Sequence, residues 1–461
     1  MRTYVLLPND KMPLYEQLYR ALKEDILSGS IRGGEKLPSK RALAEHLNIS
    51  RITVENAYSQ LLAEGYITSR PKSGYYAESL ESLPIPKMQT GRSLSVSTPA
   101  SPTVSAGQFP FSVWAKLMRS VLLDDHDLLL QPPPNTGLPA LRQAIAGMLL
   151  RSRGMVVSPE NIVIGAGAEY LYSLLIQLLG RDLSYGLENP GHRKIRQVYE
   201  ANGVRICPIS LDENGACLSA LLDSPAHVLH ISPGHQYPTG VVMPIGRRRQ
   251  LMNWAGSRPD RWIIEDDYDS EFRFSGKPVP TMCSMDTTGR VIYLNTFSRT
   301  ITPALRISYM ILPNSLMERY RQQLGFYSCT VPSFEQLTLA RFLDEGHFEK
   351  HVSRMKRRYR LLRDEFFRLL AQSPKASAMT VQGDEAGLHL MVHLQTDLTD
   401  DAMEARLKEA GIRAACLRHY AADPRDKTLQ GCVVLPYSDL TAEDLPHVVA
   451  LLESLVNPAI L

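Results

Sequence analysis

The residues best suited to chemistry lie between Val291 and Met310, in VIYLNTFSRTITPALRISYM. Thr296 and Ser298 bring hydroxyls to a loop, Arg299 follows, and Arg306 comes seven residues later. Hydroxyls, loop amides and a guanidinium gathered at the end of a strand make an anion cradle suited to phosphate. In IIEDDYDSEFRF, Glu265, Asp266, Asp267 and Tyr268 close another apolar run. Acids at a strand end serve metal and nucleotide sites as well as organic cofactors. In GAGAEYL, glycines at 165 and 167 permit close backbone approach, and the amides of Ala168 and Glu169 can meet a phosphate at a helix N-terminus. His347 and His351 stand four apart on a helical stretch, but Glu349 is one position later than a metalloprotease needs. With no third ligand evident, no metal site is expected.

Strands and helices must carry these groups. Ile162 to Ile164, Val228 to Ile231, Trp262 to Ile264 and Val291 to Leu294 read as buried strands. They alternate with helical patterns at 138–151, 168–179 and 246–255, which predicts an α/β domain. From about Glu335 onward, long helices mix with short strands. A chain of 461 residues exceeds one core, so two or three domains are expected. Its 44% apolar and 21% charged residues are those of a soluble globular protein. No apolar run reaches bilayer length and no secretory leader is evident, so a cytoplasmic, non-membrane protein is expected. The six cysteines are scattered, which argues against a disulfide framework or a zinc site.

The first 77 residues differ from the rest. They carry 11 Lys+Arg and 8 Asp+Glu, or 11 − 8 = +3, which is the whole chain's excess of 51 − 48 = +3. Pro13 can open a helix with Leu14, Leu18, Leu22 and Ile26 as its core stripe. Ser39 can cap a second helix and Ser50 a third, with Gly65 as the stop. Two β-prone runs, Tyr66 to Ser69 and Tyr75 to Ala77, flank a turn at 71–74. Three helices and a hairpin make a winged helix-turn-helix. Ser39, Arg41, Ser50, Arg51 and Thr53 fall at helix starts, where they can meet phosphates and base edges of double-stranded DNA. Lys72, Ser73 and Gly74 would form the wing tip. Residues 78–107, rich in Ser, Pro and Thr, read as a flexible linker.

LPSKRALAEHLNISRITVENAYSQLLAEGYITSRPKSGYY resembles the GntR-type DNA-binding domain along nearly its full length. Residues 108–461 resemble the fold-type I pyridoxal-phosphate (PLP) enzymes, with a large α/β lobe and a smaller C-terminal α+β lobe. SPGHQYPTG, with His235, Gln236, Tyr237 and Gly240, resembles a turn of the MocR-type regulators, which join the two parts. The resemblance implies cofactor contacts from Ala168, Glu169, Asp266 (to the pyridine nitrogen), Tyr268 (to the ring hydroxyl), Thr296, Ser298 and Arg306. It also implies a homodimer and an amine or amino-acid effector.

Two positions depart from the family. Where a lysine forms the Schiff base this chain has Arg299, which stays protonated and offers no lone pair to an aldehyde. Where a tyrosine stacks on the ring it has His192, whose charge is expected to vary near neutral pH. The expected protein is a transcription regulator that senses PLP or an amino compound, with PLP held non-covalently. Alternatives are a body that has lost PLP for another small anion, and a working aminotransferase. No residue matches the family's substrate-carboxylate arginine well, although Arg418 lies in the corresponding lobe.

Overall fold

The structure is a computed structural model that describes residues 2–4, 6–7, 12–71, 73–78, 109–269, 271–274, 279–383, 387–423 and 425–457. Lys72, and the 78–107 segment apart from Glu78, lie outside the described residues. Two compact units divide the chain, Met1–Val96 and Ser97–Leu461.

In the first unit, α1 (Leu14–Leu27) buries Leu18, Tyr19, Leu22 and Ile26. The Ser39 side chain accepts the Ala42 N–H and starts α2 (Lys40–Leu47). Asn48, left-handed at φ 53°, turns the chain toward α3 (Arg51–Ala63), where the Ser50 hydroxyl accepts the Thr53 N–H. Asn tolerates that conformation better than most side chains. An antiparallel wing follows, β1 (Ile67–Arg70) paired with β2 (Gly74–Ala77), Arg70 opposite Gly74. Tyr58 of α3 is fully buried and donates to the Pro38 carbonyl at 2.9 Å. Lys40 pairs with Glu55 at 2.6 Å and lies over the Tyr75 ring, which ties α2 to α3 and the wing.

The second unit is built on an eight-stranded mixed sheet. Its strands are β3 (Ile162–Gly165), β4 (Ser184–Asn189), β5 (Arg205–Asp212), β6 (Gly215–Ala216), β7 (Val228–Ile231), β8 (Trp262–Asp266), β9 (Val291–Thr296) and β10 (Ser308–Ile311). Their order is β3-β10-β9-β8-β7-β4-β5-β6, and β9, β8, β7, β4 and β5 run parallel. Both faces are covered, which is why the strands read as continuous apolar runs rather than alternating ones. Ile162, Ile164, Tyr293, Tyr309 and Ile311 enter one core, with helices Pro139–Arg153 and Ser333–Asp344. Val163, Ile292, Leu294 and Met310 enter the other, with helices Ala168–Leu179 and Asn314–Leu324. A smaller sheet, β11 (Met379–Gln382), β12 (Leu390–Leu394), β13 (Ala415–Cys416) and β14 (Cys432–Leu435), is antiparallel in the order β11-β12-β14-β13. Helices His347–Gln372 and Leu445–Leu455 pack with it.

The sequence reading did not anticipate β4, β5 and β10. It also placed Thr296 and Ser298 in a loop. Thr296 instead ends β9, and Ser298 sits in a one-turn helix, Phe297–Thr300, whose Ser298 N–H is accepted by the Thr296 hydroxyl at 3.1 Å. Among the described residues no helix is long and apolar enough to cross a membrane.

Candidate functional site: a cleft at the strand ends and a DNA-reading helix

Parallel strands point their carboxyl ends to one edge, where open α/β sheets bind ligands. Here β8 delivers Asp266 and β9 delivers Thr296. From β3 the chain passes through Gly165, Ala166 and Gly167 into the N-terminus of helix Ala168–Leu179. Ala168, Glu169, His192, Asp266, Tyr268, Thr296, Ser298, Arg299 and Arg306, scattered over 139 positions (168–306), line one cleft. Tyr172, Lys194 and Tyr237 line it as well.

At one end Arg306, left-handed at φ 52°, donates to the Glu169 carboxylate at 2.6 Å. A Cβ at Gly167 would collide with that guanidinium, so glycine is what lets Arg306 approach the helix start. Lys194 makes an ion pair with the other Glu169 oxygen. Burial pushes the Glu169 carboxyl up, but hydrogen bonds from Lys194 and Arg306 outweigh it and hold the pKa down at about 2. Close by, the Ser298 hydroxyl is buried and has no hydrogen-bond partner among the described residues. The Thr296 hydroxyl receives Ser308 Oγ at 2.8 Å.

Deeper in, Asp266 is 5% exposed and accepts the Tyr172 hydroxyl at 2.5 Å, with His230 Nε2 at 3.4 Å. The Tyr268 hydroxyl lies 3.2 Å from His235 Nδ1, which is 2.9 Å from Asp269 Oδ2. His192 is half-buried and packs 5.0 Å from the Tyr237 ring, centroid to centroid. Its expected variable charge is not found: burial, joined by the positive charge of Arg299, lowers its pKa to about 4. The imidazole is therefore neutral at physiological pH. Arg418 is ion-paired with Asp400 at 3.1 Å and with Asp401, outside the cleft lining. His347 meets Glu345, while His351 is buried against the Thr300 carbonyl at 2.8 Å.

In the first unit, Arg41 and Arg51 are exposed at the starts of α2 and α3. Arg41 donates to Glu45 at 2.8 Å, and Arg51 makes no ion pair among the described residues. Ser39 and Ser50 are exposed caps, and the Thr53 hydroxyl pairs with that of Ser50 at 2.8 Å. In the wing, Gly74 has φ +113°, and the Ser73 hydroxyl pairs with Tyr76 at 2.7 Å. Ile52, 69% exposed beside Arg51, was not singled out from sequence. An apolar side chain held outward on a reading helix suits a thymine methyl. Lys194 and Tyr172 were missed too. Only tertiary packing brings them to the cleft, and no local spacing announces it.

Known proteins resemble both units. Residues 14–76 match the family described as bacterial regulatory proteins, gntR family, and residues 101–451 match aminotransferase class I and II. The uncharacterized HTH-type transcriptional regulator YdeL of Bacillus subtilis is 38% identical over 411 residues, covering 87% of this chain and 88% of the relative. The probable rhizopine catabolism regulatory protein MocR of Rhizobium meliloti is 32% identical over 87% of this chain and 86% of its own. The pyridoxine biosynthesis regulator PdxR of Corynebacterium glutamicum is 31% identical over 90% of each. Among solved structures, the Pyrococcus horikoshii kynurenine aminotransferase matches with a TM-score of 0.68 at 23% identity, over 77% of this chain and 90% of that one, a likeness of fold. A GntR winged helix joined to an aminotransferase-like body, matched over most of its length by regulators so built, belongs to the MocR-type DNA-binding transcription regulators.

Proposed function

We propose that the body of this regulator binds PLP or a closely related pyridine phosphate without a covalent tether, and that occupancy shifts the DNA-binding heads between arrangements. The observation that carries this reading is that Arg306, Thr296 and Ser298 line one cleft together with Asp266, Tyr268, His192 and Arg299. The donor set fits the group. Arg306, the unpartnered Ser298 hydroxyl, the Thr296 hydroxyl and the amides of Ala168 and Glu169 would hold the phosphate. Asp266 would keep the pyridine nitrogen protonated, Tyr268 would meet the ring hydroxyl, and His192 would stack on the ring. When bound, PLP supplies an electron-poor ring and an aldehyde. Arg299 remains protonated beside that aldehyde and neither condenses with it nor shuttles a proton, so the body senses rather than turns over.

In this reading the head is residues 1–77, the linker 78–107 and the body 108–461, acting in the cytoplasm as a homodimer whose two heads read paired half-sites. An amine or amino acid joins the ligand as effector and must favour one arrangement to shift the population. Ser39, Arg41, Ser50, Arg51, Thr53, Lys72, Ser73 and Gly74 make the DNA contacts. A second reading, that the body has given up PLP for another small anion, is favoured by one feature: the cleft carries His192 where the family's ring-stacking tyrosine would stand. Calorimetric titration of the full chain with PLP, pyridoxamine phosphate and inorganic phosphate separates the two. Pyridine phosphates binding well above inorganic phosphate support the first; equal binding of all three removes it.

A further inference from the structure

Among the described lining residues, Arg299 is the cation without an anion. Arg306 and Lys194 share Glu169, and outside the lining Arg418 has Asp400. Arg299 is half-buried and makes no hydrogen bond or ion pair among the described residues. Its charge acts on His192, Tyr237 and Tyr268, which line the cleft with it, and neither carboxylate of the described lining bonds to it. Asp266, the other acid of the lining, is engaged by Tyr172 and His230. Burial first, and the Arg299 charge among the further causes, keeps both His192 and His389 unprotonated. A guanidinium so placed gains most from a ligand anion, because leaving charge unpaired in part-buried ground is costly.

We propose that Arg299 is an anion-selecting residue, and that the cleft prefers a pyridine phosphate carrying a carboxylate at the ring position where PLP has its aldehyde. The inference rests on reading the cleft as a pyridine-phosphate site, with Arg299 at the position that meets the aldehyde. A guanidinium grips a carboxylate through two parallel N–H···O bonds, which an aldehyde oxygen cannot match. It repels the ammonium of pyridoxamine phosphate. Affinity therefore runs from the 4-carboxylate through the aldehyde to the amine.

The test is calorimetric titration of the full chain with 4-pyridoxic acid 5′-phosphate, PLP and pyridoxamine phosphate at neutral pH. The carboxylate should bind roughly tenfold tighter than PLP, and PLP tighter than the amine. In Arg299→Gln the carboxylate should lose about tenfold while PLP changes by about twofold or less. Where that variant fails to fold, as judged by its melting curve, the order measured on the native chain decides. PLP or the amine binding tighter than the carboxylate overturns the selection and leaves the pyridine-phosphate site standing. Failure of all three to bind overturns both.

Discussion

Arg306 donates to Glu169 across 2.6 Å, so the arginine proposed to hold a ligand phosphate already has a carboxylate of its own. Lys194 grips the same carboxylate from the other side. A ligand phosphate must compete with Glu169 for these cations or add to the cluster. Arg306 is about half exposed and Glu169 a quarter, so solvent screens the pair only in part, and a dianionic phosphate gains against Glu169 by its second charge.

Glu169→Gln removes the competing anion and frees both cations. Inorganic phosphate should then bind about tenfold tighter than to the native chain in the same calorimetric buffer. Unchanged or weaker binding would show that Glu169 is not in competition with the ligand.

Glu188 and Glu265, both buried, and the half-buried Glu271 set a pH dependence of stability. Burial raises Glu188 to about 8, and Glu265 and Glu271 to about 7. Each binds its proton more tightly folded than unfolded. Their contribution is complete below about pH 4.5 and is lost as pH rises through 7 to 8. His192 and His389, lowered by burial, act in the opposite sense but have finished by about pH 6.5. Melting temperature should therefore fall between pH 6.5 and 8.5, and Glu188→Gln should flatten the slope. A rise over that window would contradict the assignment.

Because His192 is neutral, ligand affinity should not follow a histidine titration between about pH 6 and 8. His192→Tyr enlarges the stacking surface and should tighten a pyridine ligand by about threefold or more. Affinity that drops with a midpoint near 6.5 in the native chain, and no longer does so in the tyrosine variant, would mean that the imidazole carries charge.

On the DNA side, Arg51 and Ile52, exposed at the start of α3, are expected to divide the work. Arg51→Ala should weaken binding to a duplex selected from a random pool and reduce the salt slope by about one. Ile52→Ala should cost about 1 kcal/mol, leave the salt slope alone and relax the preference at one base pair. Fluorescence anisotropy across a salt series reads both, and equal salt slopes for the native chain and Arg51→Ala would remove Arg51 from the phosphate contacts.

Much of this molecule could be read from local signals. Ser39 and Ser50 announced two helix starts, Gly65 a stop, and the apolar runs at 228–231 and 291–294 two central strands. Helix Ala168–Leu179 was legible because Gly167 breaks the strand and an apolar stretch follows. SYGLEN, by contrast, has too few β-branched residues to declare β4, and its pairing with β5 and β7 is what makes it a strand. The nine cleft residues followed from the resemblance to the PLP enzymes, whereas Lys194 reaches Glu169 only through the packing of its helix. The shift on His192 was invisible for the same reason, since burial and a neighbouring guanidinium are tertiary facts.

Under the proposed function Arg299 stands where a Schiff-base amine would be needed, and one measurement addresses that most directly. Full-length protein is mixed with PLP, reduced with borohydride, digested and mapped by mass spectrometry, with the unreduced mixture dialysed in parallel. The expected result is PLP that dialyses away and no reduced pyridoxyl group on the peptides of the cleft. A pyridoxyl group fixed to Lys194, the cleft's lysine among its described lining residues, or on any other cleft residue, would contradict it.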